Sequence, residues 1–313
     1  MGTDDTMTLS RRRMTRLTGL GLTTTIAGCL GVGTGSVFGV GDGGPYQEWL
    51  TEPDALLDRD HASYSVLEVS EFYEYEAEFD EDWFDEMESS LEELAFGELD
   101  ADELSRAIVR QPTVVLFGSF DIDDVIEDID DDVTELDDEG DYEGYTVYTG
   151  ESREMALGVR EGVLVIARNS AGGNDAEELV EIVIDTKRGD EPRYVDESED
   201  FDALVGDLGG GTALWIGTYE ELSNPNFDFL DDIVGNGYAW TVDGPTTELH
   251  GRFLFEDDHD VDTDAFEEWH RRQADDGFLD DYESVRFRQE GRTLAFRARI
   301  DTDDLSANTI WVG

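Results

Sequence analysis

Val285-Arg286-Phe287-Arg288-Gln289-Glu290-Gly291-Arg292-Thr293-Leu294-Ala295-Phe296-Arg297-Ala298-Arg299-Ile300 alternates apolar and polar residues on both sides of one glycine. Period-two alternation marks strands with one buried face, and a glycine between two such runs supplies the positive φ of a tight hairpin turn. With Glu290-Gly291 as a two-residue turn, Phe287 faces Leu294 and Val285 faces Phe296. Arg286, Arg288, Arg297 and Arg299 then share the opposite face. Two earlier stretches use the same device. Met155–Val159 and Val163–Arg168 flank Arg160-Glu161-Gly162, and Tyr238–Val242 and Thr246–Phe255 flank Asp243-Gly244.

Between the hairpins the period changes. Asp82–Phe96 places Phe84, Met87, Leu91, Leu94 and Ala95 at spacings of three and four, which predicts a helix. Ile122–Ile129 is a short acidic helix, and Asp175–Lys187 and Thr263–Gln273 are two more. Thr113–Phe120 is a strand. His61–Glu76 reads as extended, Asp102–Val109 as a short helix and Asp130–Asp141 as a polar loop. A strand, an acidic segment, a hairpin and a helix recur over 113–189 and 212–273, joined at Asp207-Leu208-Gly209-Gly210-Gly211. The expected fold is α+β: mostly antiparallel sheets with helices on one face, in two similar tandem halves, 46–208 and 209–313.

Charge sets the lifestyle. The 313 residues hold 79 acids against 21 Lys plus Arg, a net charge of −58, and Lys187 is the only lysine. Such a chain lacks the cationic footprint of a nucleic-acid binder. A quarter of it is Leu, Ile, Val or Phe, above the roughly 20% floor for disordered sequences, so a core is expected. The acid load resembles that of proteins from extreme halophiles. At about 1 M salt the Debye length is roughly 3 Å, which screens the self-repulsion that dilute buffer would expose.

The N-terminus reads as an address. Ser10-Arg11-Arg12-Arg13-Met14-Thr15-Arg16 has the paired arginines, Arg11 and Arg12, of a twin-arginine export signal. The uncharged run Leu17–Ala27 follows, too short for a bilayer span of about 20 residues. Ile26-Ala27-Gly28-Cys29 has the form of a lipobox, and Cys29 is the only cysteine. Residues 1–28 are thus expected to be a signal peptide and 29–45 a glycine-rich tether behind a lipidated Cys29. With Asp141-Tyr142-Glu143-Gly144-Tyr145-Thr146-Val147-Tyr148 and the strand–hairpin–helix order, the chain resembles a family of twin-arginine-exported lipoproteins of halophilic archaea. The resemblance implies the outer face of the cytoplasmic membrane as location and brings no catalytic residues with it.

Chemical motifs are sparse. Gly118-Ser119-Phe120 lacks the second glycine of a nucleophile elbow, and His61, His250, His259 and His270 have no metal-ligand spacing. Asp128, Asp130, Asp132 and Glu139 fall in a calcium-loop register, but Val133 occupies the required glycine position. They are weak metal candidates, and no cofactor is expected. The four hairpin arginines are the candidate face for an anion or partner, since arginine offers a planar fork of donors. Neutralisation of neighbouring acids is the competing explanation. The expected function is non-enzymatic: a lipid-anchored envelope protein that binds or scaffolds, in contact with the membrane through Cys29, with the export machinery, and with an envelope partner of unspecified identity. The alternative is a small-ligand-binding protein with a pocket between the halves, lined by Trp215, Tyr219, Tyr238 and Trp240. A carboxylate-based hydrolase ranks third.

Overall fold

A computed structural model describes residues 45–57, 59–97, 99–169, 174–220, 232–258, 261–273 and 282–305. Two compact units are separated, Met1–Val37 and Phe38–Gly313, and the described residues belong to the second. The strands are β1 (Ser63–Leu67), β2 (Leu104–Arg110), β3 (Thr113–Gly118), β4 (Leu136–Tyr142), β5 (Tyr145–Gly150), β6 (Met155–Arg160), β7 (Val163–Arg168), β8 (Ala213–Thr218), β9 (Ile233–Asp243), β10 (Thr246–Phe255), β11 (Glu283–Glu290) and β12 (Thr293–Asp301). The helices are α1 (Pro53–Leu57), α2 (Val69–Glu74), α3 (Glu81–Leu94), α4 (Ile122–Asp132), α5 (Ala176–Arg188), α6 (Tyr194–Glu197), α7 (Glu199–Leu208) and α8 (Thr263–Gln273).

All twelve strands form one sheet in the order β11-β12-β10-β9-β8-β1-β2-β3-β7-β6-β5-β4, and every neighbouring pair is antiparallel. The fold is α+β on an antiparallel sheet. The pair β1–β8, with Val66 opposite Leu214, joins the spans 46–208 and 209–313 without a break in the ladder.

Helices cover both faces of this sheet, which corrects the one-face expectation. On one face α2, α3, α4 and α8 bury Phe72, Trp83, Phe84, Met87, Leu91, Ile129 and Phe266 against strand residues such as Leu116, Leu157, Trp240 and Phe296. On the other, α5 and α7 bury Leu179, Val183, Phe201 and Leu204 against Val66, Val115, Val165 and Leu214. Strands covered on both sides need no polar face, which is why Met155–Val159, Val163–Ala167 and Ala213–Thr218 are buried throughout.

Three local readings change. The segment expected to run extended to Glu76 leaves the sheet after Leu67, because Val69 and Phe72, spaced by one helical turn, are both buried as α2. Asp102–Val109 is not a helix: Leu104–Arg110 lies between β1 and β3 with side chains buried on both faces, so it lacks the alternation that marks a strand. Asp130–Asp141 is not a loop: α4 runs to Asp132, and the acidic run Leu136–Tyr142 is an edge strand whose carboxylates stand in solvent. Asp80, Asp121, Asp175 and Ser198 cap α3, α4, α5 and α7 by accepting backbone N–H groups, which explains where those helices start.

The hairpin turns sit one residue later than expected in two cases. Gly244 and Gly291, each with φ +63°, open their turns instead of closing them. Phe287 therefore faces Phe296, Gln289 faces Leu294 and Arg286 faces Arg297. The displacement is two residues along the partner strand, so every side chain keeps its face.

Candidate functional site

A concavity lies where the start of the domain meets α6 and the start of α7. Tyr194 N donates to Leu50 O at 2.7 Å, and an isolated bridge pairs Thr51 with Arg193. These bonds bring Glu52-Pro53-Asp54 alongside Tyr194–Asp200. Arg59 and Asp60 complete the wall of a cleft of about 440 Å³ lined by Glu52, Asp54, Asp60, Glu197, Glu199 and Asp200. Its floor is fixed. Tyr194 hydroxyl bonds Thr218 Oγ1 at 2.7 Å and Asp60 O at 3.1 Å, and its ring stacks on Phe201 at 4.3 Å.

Acids dominate the cleft, six against Arg59. Burial, followed by repulsion from Glu197, Asp54, Asp60 and Glu191, raises the Glu52 carboxyl above the usual range. Next to the cleft lies Arg110, 5% exposed, with Nη2 donating to Pro53 O at 3.5 Å and its guanidinium 5.5 Å from the Tyr64 ring centre. Its Nε and Nη1 are buried without a hydrogen-bond partner, and burial lowers its pKa. A cleft of this kind attracts cations. Ser198 is engaged as the α7 cap, its Oγ accepting from Phe201 N, and is not paired with a base among the described residues. Sequence reasoning missed this site. Its two walls lie about 140 residues apart, and in a chain with 79 acids no local signal separates Glu52 or Asp200 from the rest.

The four hairpin arginines do lie together on the sheet face opposite Phe287 and Phe296. Acids accompany them. Arg299 bonds Glu248 on β10, and Arg288 Nη1 is 3.1 Å from Glu290. Arg297 is half-buried and engaged, while Arg286 is exposed and makes no ion pair among the described residues. Next to them Arg252, 3% exposed, reaches the Asp207 carbonyl at 3.3 Å.

Trp215, Tyr219, Tyr238 and Trp240 pack into the core cluster on the α3 and α8 face of the sheet. Trp215 stacks on Tyr238 at 5.7 Å, Trp240 is fully buried, and Tyr219 hydroxyl donates to Asn236 Oδ1 at 2.7 Å. The cleft lies elsewhere, wholly among residues 52–60 and 194–200.

The calcium register does not form a loop. Asp128, Asp130 and Asp132 are in α4, where Asp128 and Asp130 point in different directions, and Glu139 is in β4. Asp130 Oδ1 instead accepts from Leu136 N at 2.6 Å, and Glu139 accepts from Thr149 Oγ1 and Arg153. Among the described residues Asp301, Asp303 and Asp304 form an exposed acidic trio. Arg11, Arg12 and Cys29 lie outside the described residues. No helix among the described residues is long and apolar enough to cross a membrane.

No family model matches the chain, and no curated protein matches it. Among solved structures, crystal forms III and I of TP0453 are similar to it, with TM-scores of 0.49 and 0.48 and sequence identities of 9% and 10%. Each alignment covers 83% of this chain, and 95% and 94% of those chains. A likeness of this size carries no inference about activity, ligand or partner.

Proposed function

We propose that the chain is a lipid-anchored, non-enzymatic binding protein of a halophilic archaeal envelope, exported by the twin-arginine route and held at the outer face of the cytoplasmic membrane by a lipid on Cys29. One observation carries this reading. The glycine-rich run ends at Gly44, and the first anchored residues of the domain follow at once. Tyr46 is 3% exposed with its hydroxyl donating to Gly209 O at 2.9 Å, and Trp49 is 5% exposed. The export arginines, apolar run, cysteine, tether and domain thus follow one another in the order an anchored protein needs. The test is fractionation of cells expressing Cys29→Ser or the double variant Arg11→Lys, Arg12→Lys. The first is expected to leave the membrane fraction or persist as precursor, and the second to stay inside the cell. Normal membrane recovery of the cysteine variant would contradict the anchor.

The second reading, binding of a small ligand, is favoured by the acid-lined cleft, and the ligand would be cationic. We also infer two tandem halves, with a repeat other than 113–189 and 212–273, because α5 and α8, which those spans would align, lie on opposite sheet faces. In one half β3 leads through α4 to the far-edge strand β4, and the chain then returns strand by strand to β3. In the other, β10 leads through α8 to the far-edge strand β11 and returns through β12. The equivalent helices are then α4 and α8, both on the same sheet face.

A further inference from the structure

The described sheet ends at β4 and β11. Among the described residues β4 pairs only with β5, and β11 only with β12. An edge strand carries unpaired N–H and C=O groups, and proteins protect such edges with charge and bulges. Both devices are present: the ladder is irregular at Asp138/Gly140 and at Glu283/Arg286. The charges differ between the edges, however. β4 carries Asp137, Asp138, Glu139 and Asp141 without a cation, whereas the middle of β11 carries Arg286 and Arg288. Pairing β4 with β4 sets acids against acids, and β11 with β11 sets arginines against arginines, both unfavourable across a ladder.

We propose that the β4 edge of one copy of this chain takes the β11 edge of a second copy, continuing the sheet from molecule to molecule. Three features fit. Among the described residues the sheet has an even number of strands with alternating direction, so a copy that continues the ladder joins antiparallel. Five residues of each strand, 136–140 and 283–287, overlap when Leu136 faces Phe287. One register satisfies both faces. Leu136 and Phe287 are both half-buried on the face of α3 and α8, and placing them opposite each other sets Asp137 opposite Arg286 on the other face. Both of these charged residues are exposed. The contact is head-to-tail, so it grows into open chains rather than closing as a dimer. It goes beyond the anchoring proposal and does not depend on it.

The test is sedimentation of the purified full-length chain over a concentration series at about 1 M salt, where the fold's own repulsion is screened. Wild type is expected to form a concentration-dependent ladder of oligomers. Asp137→Arg disables one edge and Arg286→Asp the other, so each variant alone is expected to be monomeric. In an equal mixture the two native edges match each other and the two substituted edges match each other, so the mixture, like the chain with both substitutions, is expected to restore the ladder. Circular dichroism checks that each variant keeps the fold. Monomeric wild type throughout the series, or single variants that associate like wild type, would overturn the proposal.

Discussion

Glu248 and Arg299 stand opposite each other across β10 and β12, and Arg299 Nε donates to Glu248 Oε1 at 2.9 Å. The hydrogen bond, ahead of the opposing burial and the further Coulomb attraction, holds the Glu248 carboxyl below its usual range. A carboxylate depressed in the folded state stabilises fully above its unfolded pKa, and that contribution disappears as pH falls through the lower folded value. Arg299→Gln is expected to raise the Glu248 pKa and to cost under about 1 kcal/mol, because the pair is solvent-screened. Unfolding curves at neutral and acid pH check this: the wild-type advantage should shrink on acidification.

Gly251 faces Phe296 across the same strands, and a Cβ there would fall 1.9 Å from the Phe296 ring. Gly251→Ala is therefore expected to cost about 1–3 kcal/mol through overpacking. Gly206, inside α7, has open space around its Cβ position, so Gly206→Ala should gain roughly 0.5–1 kcal/mol. Thermal unfolding at high salt should move the two midpoints in opposite directions.

The alternating hairpins and the long periodic helices were legible in the sequence because each repeats a local pattern, as Phe84, Met87 and Leu91 do in α3. Leu104–Arg110 was not, because a strand buried on both faces loses its alternation and resembles a short apolar helix. The acidic strand β4 was hidden for the opposite reason: its one open edge and exposed carboxylates give it the composition of a loop. Second-face helices could not be read from one-dimensional spacing, since α5 and α8 have similar amphipathic patterns and lie on opposite sides. The cleft depends on the pairing of Leu50-Thr51 with Arg193-Tyr194, contacts that no local pattern announces.

Arg110 is a buried cation whose Nε and Nη1 have no acceptor. Burying such a group with only Nη2 engaged, on Pro53 O, costs free energy that an apolar side chain of similar length avoids. Arg110→Met is expected to raise the unfolding midpoint, and Arg110→Ala to lower it by leaving a void. A fall with Met would show that the guanidinium makes a stabilising contact.

Glu52 has a raised pKa in the folded state, which reverses the sign worked out for Glu248. Its ionisation destabilises the fold, so stability from this group is complete below the unfolded pKa and falls as pH rises through the folded value. Glu52→Gln is expected to stabilise the protein at neutral pH, more strongly as salt is lowered and repulsion from Asp54, Asp60 and Glu197 is less screened. Paired pH and salt series on the two proteins provide the check.

Mass spectrometry of the N-terminus of protein purified from membranes tests the anchoring claim most directly. The account predicts a mature chain that begins at Cys29, with a mass increment on that residue equal to its lipid. A chain that retains residues 1–28, or one that carries an unmodified Cys29 thiol, would contradict it.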